Sequence, residues 1–470
     1  MDPDAVGPRP HRGRPGAYGA APYPVVLYLK RLALQLPLPL ILSAGVRRAR
    51  AELRATEWID AERLRSLADA KVRRLIAHVY ASVPYYREVF DRERIDPREI
   101  RGVDDLTRLP MLTKAIVRER FADLRAHDFE AHTPVLGYTG GSTGQRSAHY
   151  VSRRCLDFCD AAVSRHYQAI GYHPGARCSV LYSPLEGALE QLLYYDDPWT
   201  RRRHLNTRLI NRDRMRAMVE AMVGFRTEVI WAFPSHLEML CQYIEETGDD
   251  RLQPRLVVTD AEVLYDYQRE RVRRFLACDV FDWYGLAEQA AAAGECAQHR
   301  YHVPEEIVVL EVRTSDGAAA PGELGEIVGT SLENYAQPFI RYRTGDYASR
   351  STDLCPCGRP HRTLDQIGGR TQDVITTPNG LTVLRHSLCD FSAPGVEAIQ
   401  IEQLGLRRFL IHVMAPDGLS EDAARVLASK LRGVIDFEAA VEVARVSNIE
   451  RTERGKRRLV ISRVPFSFLG

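Results

Sequence analysis

The chain has no apolar run long enough to cross a bilayer. The longest candidate, Leu32 to Val46, covers about 15 residues against the roughly 20 of a spanning helix, and Gln35, Pro37 and Pro39 interrupt it. A packed N-terminal segment is the expectation for residues 22–46, with peripheral membrane contact as the alternative. A secretory signal would sit closer to Met1 and end in a small-residue cleavage site. Charge of one sign is also lacking. The 64 Lys and Arg face 62 Asp and Glu, a net charge of +2, which removes any bulk electrostatic argument for nucleic acid or membrane. Short runs such as Arg201–Arg203 and Arg457-Arg458 read as solvated faces. There is no repeat at a fixed period and no convincing Ser/His/Asp set. Residues 1–21 are rich in Pro, Gly, Ala and Arg but poor in large apolar side chains, so a disordered tail is expected there.

Cysteine is present in an odd number, 9. Without a secretory signal this points to a reduced, cytoplasmic setting. Cys155, Cys159, Cys178, Cys241, Cys278 and Cys389 read as small buried hydrophobes. Cys155 and Cys159 stand i, i+4 on a predicted helix, but no His or further Cys with ligand spacing accompanies them. Cys296, Cys355 and Cys357 are treated separately below.

Residues 60–130 read as mostly helical. From about 135 the texture changes to short apolar runs: Cys178–Tyr182, Val229–Ala232, Leu256–Thr259, Val280–Trp283 and Glu306–Val312. Predicted helices Asp213–Val223, His236–Thr247 and Tyr265–Leu276 separate several of them. Strand-helix alternation at this spacing predicts a largely parallel sheet. A Gly-rich stretch from Gly368 to Gly380 reads as a linker. Beyond it come predicted strands at Glu397–Gln403, Phe409–Met414 and Ala440–Val446 and a helix at Glu421–Val434, a small α+β unit.

Five strings carry candidate chemistry. Tyr138 to Arg146 is a Gly/Ser/Thr loop whose turn N–H groups could cradle phosphate oxygens, although its spacing is not that of a P-loop; an ordinary loop is the plainer reading. Asp282 to Glu288 follows an apolar strand, where an open α/β sheet binds nucleotides. Tyr284 there could lie on a base and Glu288 could hold Mg²⁺; a packed strand-to-helix turn is its plainer reading. In Ile340 to Asp346, an Asp in a tight turn can accept both ribose hydroxyls. Ile367 to Asp373 lies at the predicted linker. Arg451 to Arg458 carries Lys456 on a Gly-containing loop that could reach an anionic centre.

Each string alone is ambiguous, but their order and spacing together resemble the adenylate-forming superfamily of acyl-CoA ligases. The match is to its phenylacetate-CoA ligase branch, which includes capsule-biosynthesis relatives, over roughly residues 60 to 465. The resemblance implies an α/β fold: a large N-terminal adenylate-forming domain of mixed sheets and helices, residues 22–372, and a small mobile α+β C-terminal lid, residues 373–470. It implies phosphate binding by Thr139, Gly141, Ser142, Thr143 and Gly144. Asp260, Ala261 and Glu262 would line the adenine and acyl pocket, beside Trp283, Tyr284 and Gly285. Tyr284 would stack on adenine, Glu288 would hold Mg²⁺ and Asp346 the ribose. Arg370 would contact the nucleotide, Asp373 would be the hinge, and Lys456 would bridge carboxylate and phosphate. ATP and Mg²⁺ are the implied cofactors. One departure stands out: Gln145 takes the position after the last loop glycine where many members carry lysine.

Cys296, His302, Cys355 and Cys357 could form a closed tetrahedral zinc site of structural type, with His299 and His361 as rival nitrogen donors. A similar Cys/His set with zinc occurs in some members of the branch. Tyr182, Glu186, His236 and Ala290 are candidates for the acyl pocket. CoA is the acceptor the resemblance implies most directly. The alternatives are an amine, an alcohol or a carrier protein in natural-product biosynthesis, AMP transfer to a hydroxyl, or an inactive zinc-stabilised binding protein. A homodimer is a further expectation; a nucleic-acid partner and an integral membrane span are not expected.

Overall fold

The computed structural model describes residues 43–139, 147–173, 175–181, 189, 191–197, 200–207, 212–351, 353–370, 375–376, 382–383, 393–435, 438–449 and 459–464. Three helices come first: α1 (Ala44–Thr56), α2 (Ala61–Ser82) and α3 (Pro84–Glu93). Local sequence sets their ends. The Ser43 and Asp60 side chains accept the backbone N–H groups of Val46 and Arg63, capping α1 and α2. Pro84 opens α3 at its first position, where no intrahelical N–H is needed. A short α4 (Lys114–Glu119) precedes the antiparallel hairpin β1 (Pro134–Thr139) and β2 (Ser147–Ser152). Then comes α5 (Arg153–Ala169), whose Cys155, Phe158, Ala161 and Ala162 face inward.

A thirteen-stranded sheet forms the body of the protein, and its first half is built by alternation. Strands β3 (Cys178–Leu181), β4 (Tyr194–Asp197) and β5 (Arg202–Leu205) lead into α6 (Arg212–Gly224), β6 (Val229–Ala232), α7 (Pro234–Thr247), β7 (Leu256–Asp260), α8 (Asp266–Leu276) and β8 (Asp279–Gly285). β5, β3, β6, β7 and β8 run parallel in that spatial order, with β4 antiparallel on the outer edge. β7 is buried at every residue, as a strand covered on both faces must be. Met218, Leu237, Leu240, Ile230 and Val257 belong to one core on the helix side, and Tyr167, Cys178, Val229 and Val258 to another.

The second half of the sheet is antiparallel. It comprises β9 (Ala292–Glu295), β10 (Tyr301–His302), β11 (Val308–Thr314), β12 (Gly317–Ala318), β13 (Leu324–Ser331), β14 (Tyr342–Arg350) and β15 (Thr363–Arg370). The sheet is therefore mixed, correcting the expectation of a largely parallel one. Gly368 and Gly369 lie inside β15, so the expected linker does not begin at Gly368. A small pair, β16 (Ile375–Thr376) and β17 (Thr382–Val383), follows. The last unit is a four-stranded sheet in the order β20-β19-β18-β21: β18 (Ala398–Gly405), β19 (Arg408–Met414), β20 (Ala440–Arg445) and β21 (Val460–Ser462), with α9 (Glu421–Ile435) between β19 and β20. Its core gathers Ile401, Ile411, Val413, Leu427 and Leu431. The fold is the expected mixed α/β body followed by a small α+β unit. Among the described residues, no helix is long and apolar enough to cross a membrane.

Candidate functional site

The C-terminal end of β8 and the turn after it meet β14 at one place. Tyr284, near the end of β8, donates its hydroxyl to Asp346 Oδ2 at 3.0 Å. Tyr342, at the start of β14, donates to Glu288 Oε1 at 3.0 Å. Asp346 and Glu288 are both buried, so each carboxylate keeps a hydrogen-bond partner where water is scarce. Burial, and then the Asp346 charge, push the Tyr284 phenol well above its ordinary value. It stays protonated and donates across the working pH range. The backbone of Arg370 in β15 pairs directly with Asp346.

The string from Ile340 to Asp346 is held by its own neighbours. The Arg341 guanidinium reaches Glu311 at 2.9 and 3.0 Å, and Arg343 reaches Glu326 at 2.9 Å. Thr344 Oγ1 donates to the Ile327 carbonyl at 2.8 Å and accepts from Asp346 N–H at 2.9 Å. Gly345 takes φ +75°, a region that costs glycine little. Lys114 Nζ donates to the Thr344 carbonyl at 3.0 Å. The segment of β14 that presents Asp346 is thus clamped from α4, β11 and β13.

The Asp260-Ala261-Glu262 segment leaves β7 with Ala261 at φ +62°. Glu262 then accepts Ser235 N–H at 3.0 Å and Ser235 Oγ at 3.2 Å, so its carboxylate is engaged at the start of α7. Asp260 is buried and pairs across the sheet with Trp283. Trp283 lies 5.2 Å from the His166 ring, centroid to centroid. A Cβ on Gly294 would come within 2.6 Å of His166 Nδ1 and 2.8 Å of Trp283 Cε3, so only glycine lets α5 and the indole approach this closely. Beneath them a buried polar knot spans β7, β8 and β9. Asp282 accepts Thr259 Oγ1 at 2.7 Å and Tyr301 OH at 2.9 Å. Glu295 accepts Asp282 N–H at 2.8 Å and pairs with Arg269 at 2.8 Å. Burial pushes the Asp282 carboxyl up to about 7. None of the five sequence motifs identifies this knot; its one trace in the sequence is the Asp at the head of the Asp282–Glu288 string.

Of the acyl-pocket candidates, His236 and Ala290 are fully enclosed. His236 Nδ1 lies 2.9 Å from the Leu181 carbonyl, and its ring packs on Phe233. Ala290 sits in the core with Leu332, Phe339 and Tyr342. Tyr182 and Glu186 lie outside the described residues, as do Gly141, Ser142, Thr143, Gly144, Gln145, Asp373 and Lys456 and the side chains of Thr139 and Arg370.

The cysteine set does converge. Cys296 follows β9, His302 ends β10, and Cys355 and Cys357 lie between β14 and β15. Their four ligand atoms all lie within 4.8 Å of one another. Cys296 Sγ is 3.6 Å from Cys355 Sγ, and Cys357 Sγ is 3.3 Å from His302 Nε2. Tetrahedral zinc with Zn–S near 2.3 Å and Zn–N near 2.0 Å spaces its ligands roughly 3.5–3.8 Å apart, so donors and spacing fit that ion. The rival histidines are engaged elsewhere: His299 with Glu295 at 3.1 Å and His361 with Glu306 at 3.2 Å.

No protein-family model matches the chain. Curated sequences do. The chain is 29% identical over 340 residues to a phenylacetate-coenzyme A ligase of Thermus thermophilus, covering 68% of this chain and 73% of that one. It is 24% identical over 447 residues to the phenylacetate-coenzyme A ligase of Aromatoleum evansii, covering 88% and 98%. Among solved structures, it superposes on 2-hydroxyisobutyryl-CoA ligase in the postadenylation state with R3-HIB-AMP at a TM-score of 0.70 and 18% identity, covering 87% and 91%. The same ligase with 2-HIB-AMP and CoA in the thioesterification state gives 0.58 at 19% identity, again covering 87% and 91%. The chain is thus similar in sequence to phenylacetate-CoA ligases and shares the fold of an acyl-CoA ligase that forms an acyl-adenylate.

Proposed function

We propose that the chain activates an aryl or small functionalised carboxylic acid with ATP, forming an acyl-adenylate and pyrophosphate, and passes the acyl group to CoA. The observation that carries this reading is the meeting of Tyr284 with Asp346 and of Tyr342 with Glu288, which joins the end of β8 and the turn after it to β14. Asp346, which accepts the Tyr284 hydroxyl, would bind the ribose hydroxyls, and Tyr284, held by Asp346, would offer its ring to the base. Glu288 would hold Mg²⁺ beside the phosphates, where the ion neutralises oxyanion charge. The names of the sequence relatives support an aryl acid.

A carboxylate repels the triphosphate it must attack. The step needs positive charge aimed at the forming anionic centre and two anions held in line. Lys456 is assigned that charge, and the Thr139–Gly144 loop is assigned to hold the polyphosphate. No covalent enzyme intermediate is required. Cys296, His302, Cys355 and Cys357 are assigned a structural zinc ion, which would tie the β9–β10 and β14–β15 segments together.

Pyrophosphate exchange across a panel of acids tests the reading. Exchange with at least one aryl or small functionalised acid, lost in Lys456→Ala while ATP still binds, is the expected result. Absence of exchange with every acid would overturn it. Thioester detection with CoA against candidate amines then tests the acceptor, and metal analysis showing about one zinc per chain tests the cysteine site.

A further inference from the structure

A cavity of about 230 Å³ opens between α1, α5 and the loop just after Cys357. Four arginines line it: Arg50 and Arg54 from α1, Arg165 from α5, and Arg359 from the loop. Two of them are already neutralised and fixed. Arg165 donates through both terminal nitrogens to Glu306, at 2.7 and 3.1 Å, and also to the Leu53 carbonyl at 2.9 Å. Arg359 donates to Glu57 at 3.0 and 3.3 Å, and its guanidinium lies 4.8 Å from the centre of the Trp58 ring.

Arg50 and Arg54 are different. Their i, i+4 spacing puts them on one face of α1. Neither forms an ion pair or a side-chain hydrogen bond among the described residues; the one acid on the cavity wall, Glu57, is taken by Arg359. Like charges at this spacing oppose the helix that carries them. Burial, and then the Arg54 charge, hold the Arg50 guanidinium below its ordinary value. Half-buried Arg50 and exposed Arg54, without a partner among the described residues, leave beside this fixed frame a positive charge that an anion of charge near −2 would balance.

We propose that this cavity binds a phosphate group, with Arg50 and Arg54 supplying the uncompensated charge and Arg165 and Arg359, held by Glu306 and Glu57, framing it. The guanidinium forks suit the tetrahedral oxyanion, which can take two donors from each. A phosphomonoester or free phosphate carries about −1.5 to −2 at neutral pH, which matches the two unpaired cations; a single carboxylate does not. The ligand is either inorganic phosphate or the terminal phosphomonoester of a nucleotide such as CoA. None of its lining residues belongs to the Tyr284–Asp346 cluster, so it does not depend on the adenylation reading.

The test is calorimetric titration of the full chain with inorganic phosphate at low ionic strength. The expected result is one phosphate per chain, with affinity reduced at least about thirtyfold in R50A/R54A, as for the loss of two charge-assisted contacts. R48A, which removes an exposed charge from the same helix away from the cavity, leaves the affinity unchanged. R50K/R54K, which keeps the charge without the fork, retains part of it and guards against a folding defect. CoA binding more than about tenfold tighter than dephospho-CoA, with the gap closed in R50A/R54A, assigns the site to a phosphomonoester. Phosphate binding without that gap assigns it to free phosphate. No phosphate binding by the unaltered chain, or equal affinity in a folded R50A/R54A, overturns the proposal.

Discussion

The two halves of the large sheet are built by different rules. In the parallel half, β3 and β7 are buried at every residue, and helices on both faces supply the core. In the antiparallel half the strands carry charges into the interior. Glu326, Asp346 and Glu295 are buried, as is Arg341 just before β14. Each is paired with a group far away in sequence, as Arg341 is with Glu311 and Arg343 with Glu326. The parallel half is stabilised by area removed from water, which tolerates small losses. The antiparallel half is stabilised by completed pairs, where losing one partner strands a buried charge. The candidate site lies where the two halves join.

Deleting a partner in the antiparallel half is the hardest test of this difference. Glu311→Ala leaves the Arg341 guanidinium buried without its carboxylate and should cost about 3–5 kcal/mol in urea unfolding. A cost below about 1 kcal/mol would show that the Thr107 and Leu109 carbonyls, which also accept from Arg341, suffice.

At the junction, Asp282 tests the comparison through pH. Its carboxyl titrates at about 7 in the folded chain and at about 3.9 unfolded. Between those values the folded chain holds the extra proton, so stability falls as pH rises from about 4 to about 7 and then levels off. The total is up to roughly 4 kcal/mol at 1.36 kcal/mol per unit. Asp282→Asn should flatten that limb of the stability–pH curve; an unchanged slope would remove the assignment.

Asp346→Ala should weaken ATP binding by about 1.5–3 kcal/mol, the worth of hydrogen bonds to a charged group, and Tyr284→Phe by about 1 kcal/mol. Equilibrium ATP binding measures both. The smallest effect belongs to the parallel half. Ile230→Val, in a fully buried β6 position, should cost about 0.5–1.5 kcal/mol and leave ATP affinity unchanged. A change in affinity would mean that the two halves are more tightly coupled than their packing indicates.

The parallel half was also the legible half. The apolar run Val229–Ala232 is β6 residue for residue, and Leu256–Thr259 and Val280–Trp283 fall within β7 and β8. In the terminal unit, Phe409–Met414 and Ala440–Val446 match β19 and β20 within one residue. A strand covered on both faces is mostly apolar, and that shows in one dimension. β13, β14 and β15 escaped because their interiors mix Arg, Asp, Thr and Gly, whose acceptability depends on distant partners. Gly368 and Gly369 read as a linker for the same reason: a Cβ on Gly368 would fall 1.7 Å from Tyr347 Cε2, and packing against that buried ring, invisible in the string, requires glycine there.

By itself the sequence determined the order of the motifs, the alternation that forms half the sheet, and the near-neutral charge balance. These depend on residue type and spacing along the chain. The tertiary structure decided which groups meet: Tyr284 with Asp346, Tyr342 with Glu288, and His302 rather than His299 or His361 with the three cysteines. It also decided that Arg50 and Arg54 face a cavity whose Glu57 is paired with Arg359, with no other acid among the described lining residues. Burial and pairing are properties of neighbours brought together from far along the chain, and only the folded arrangement specifies them.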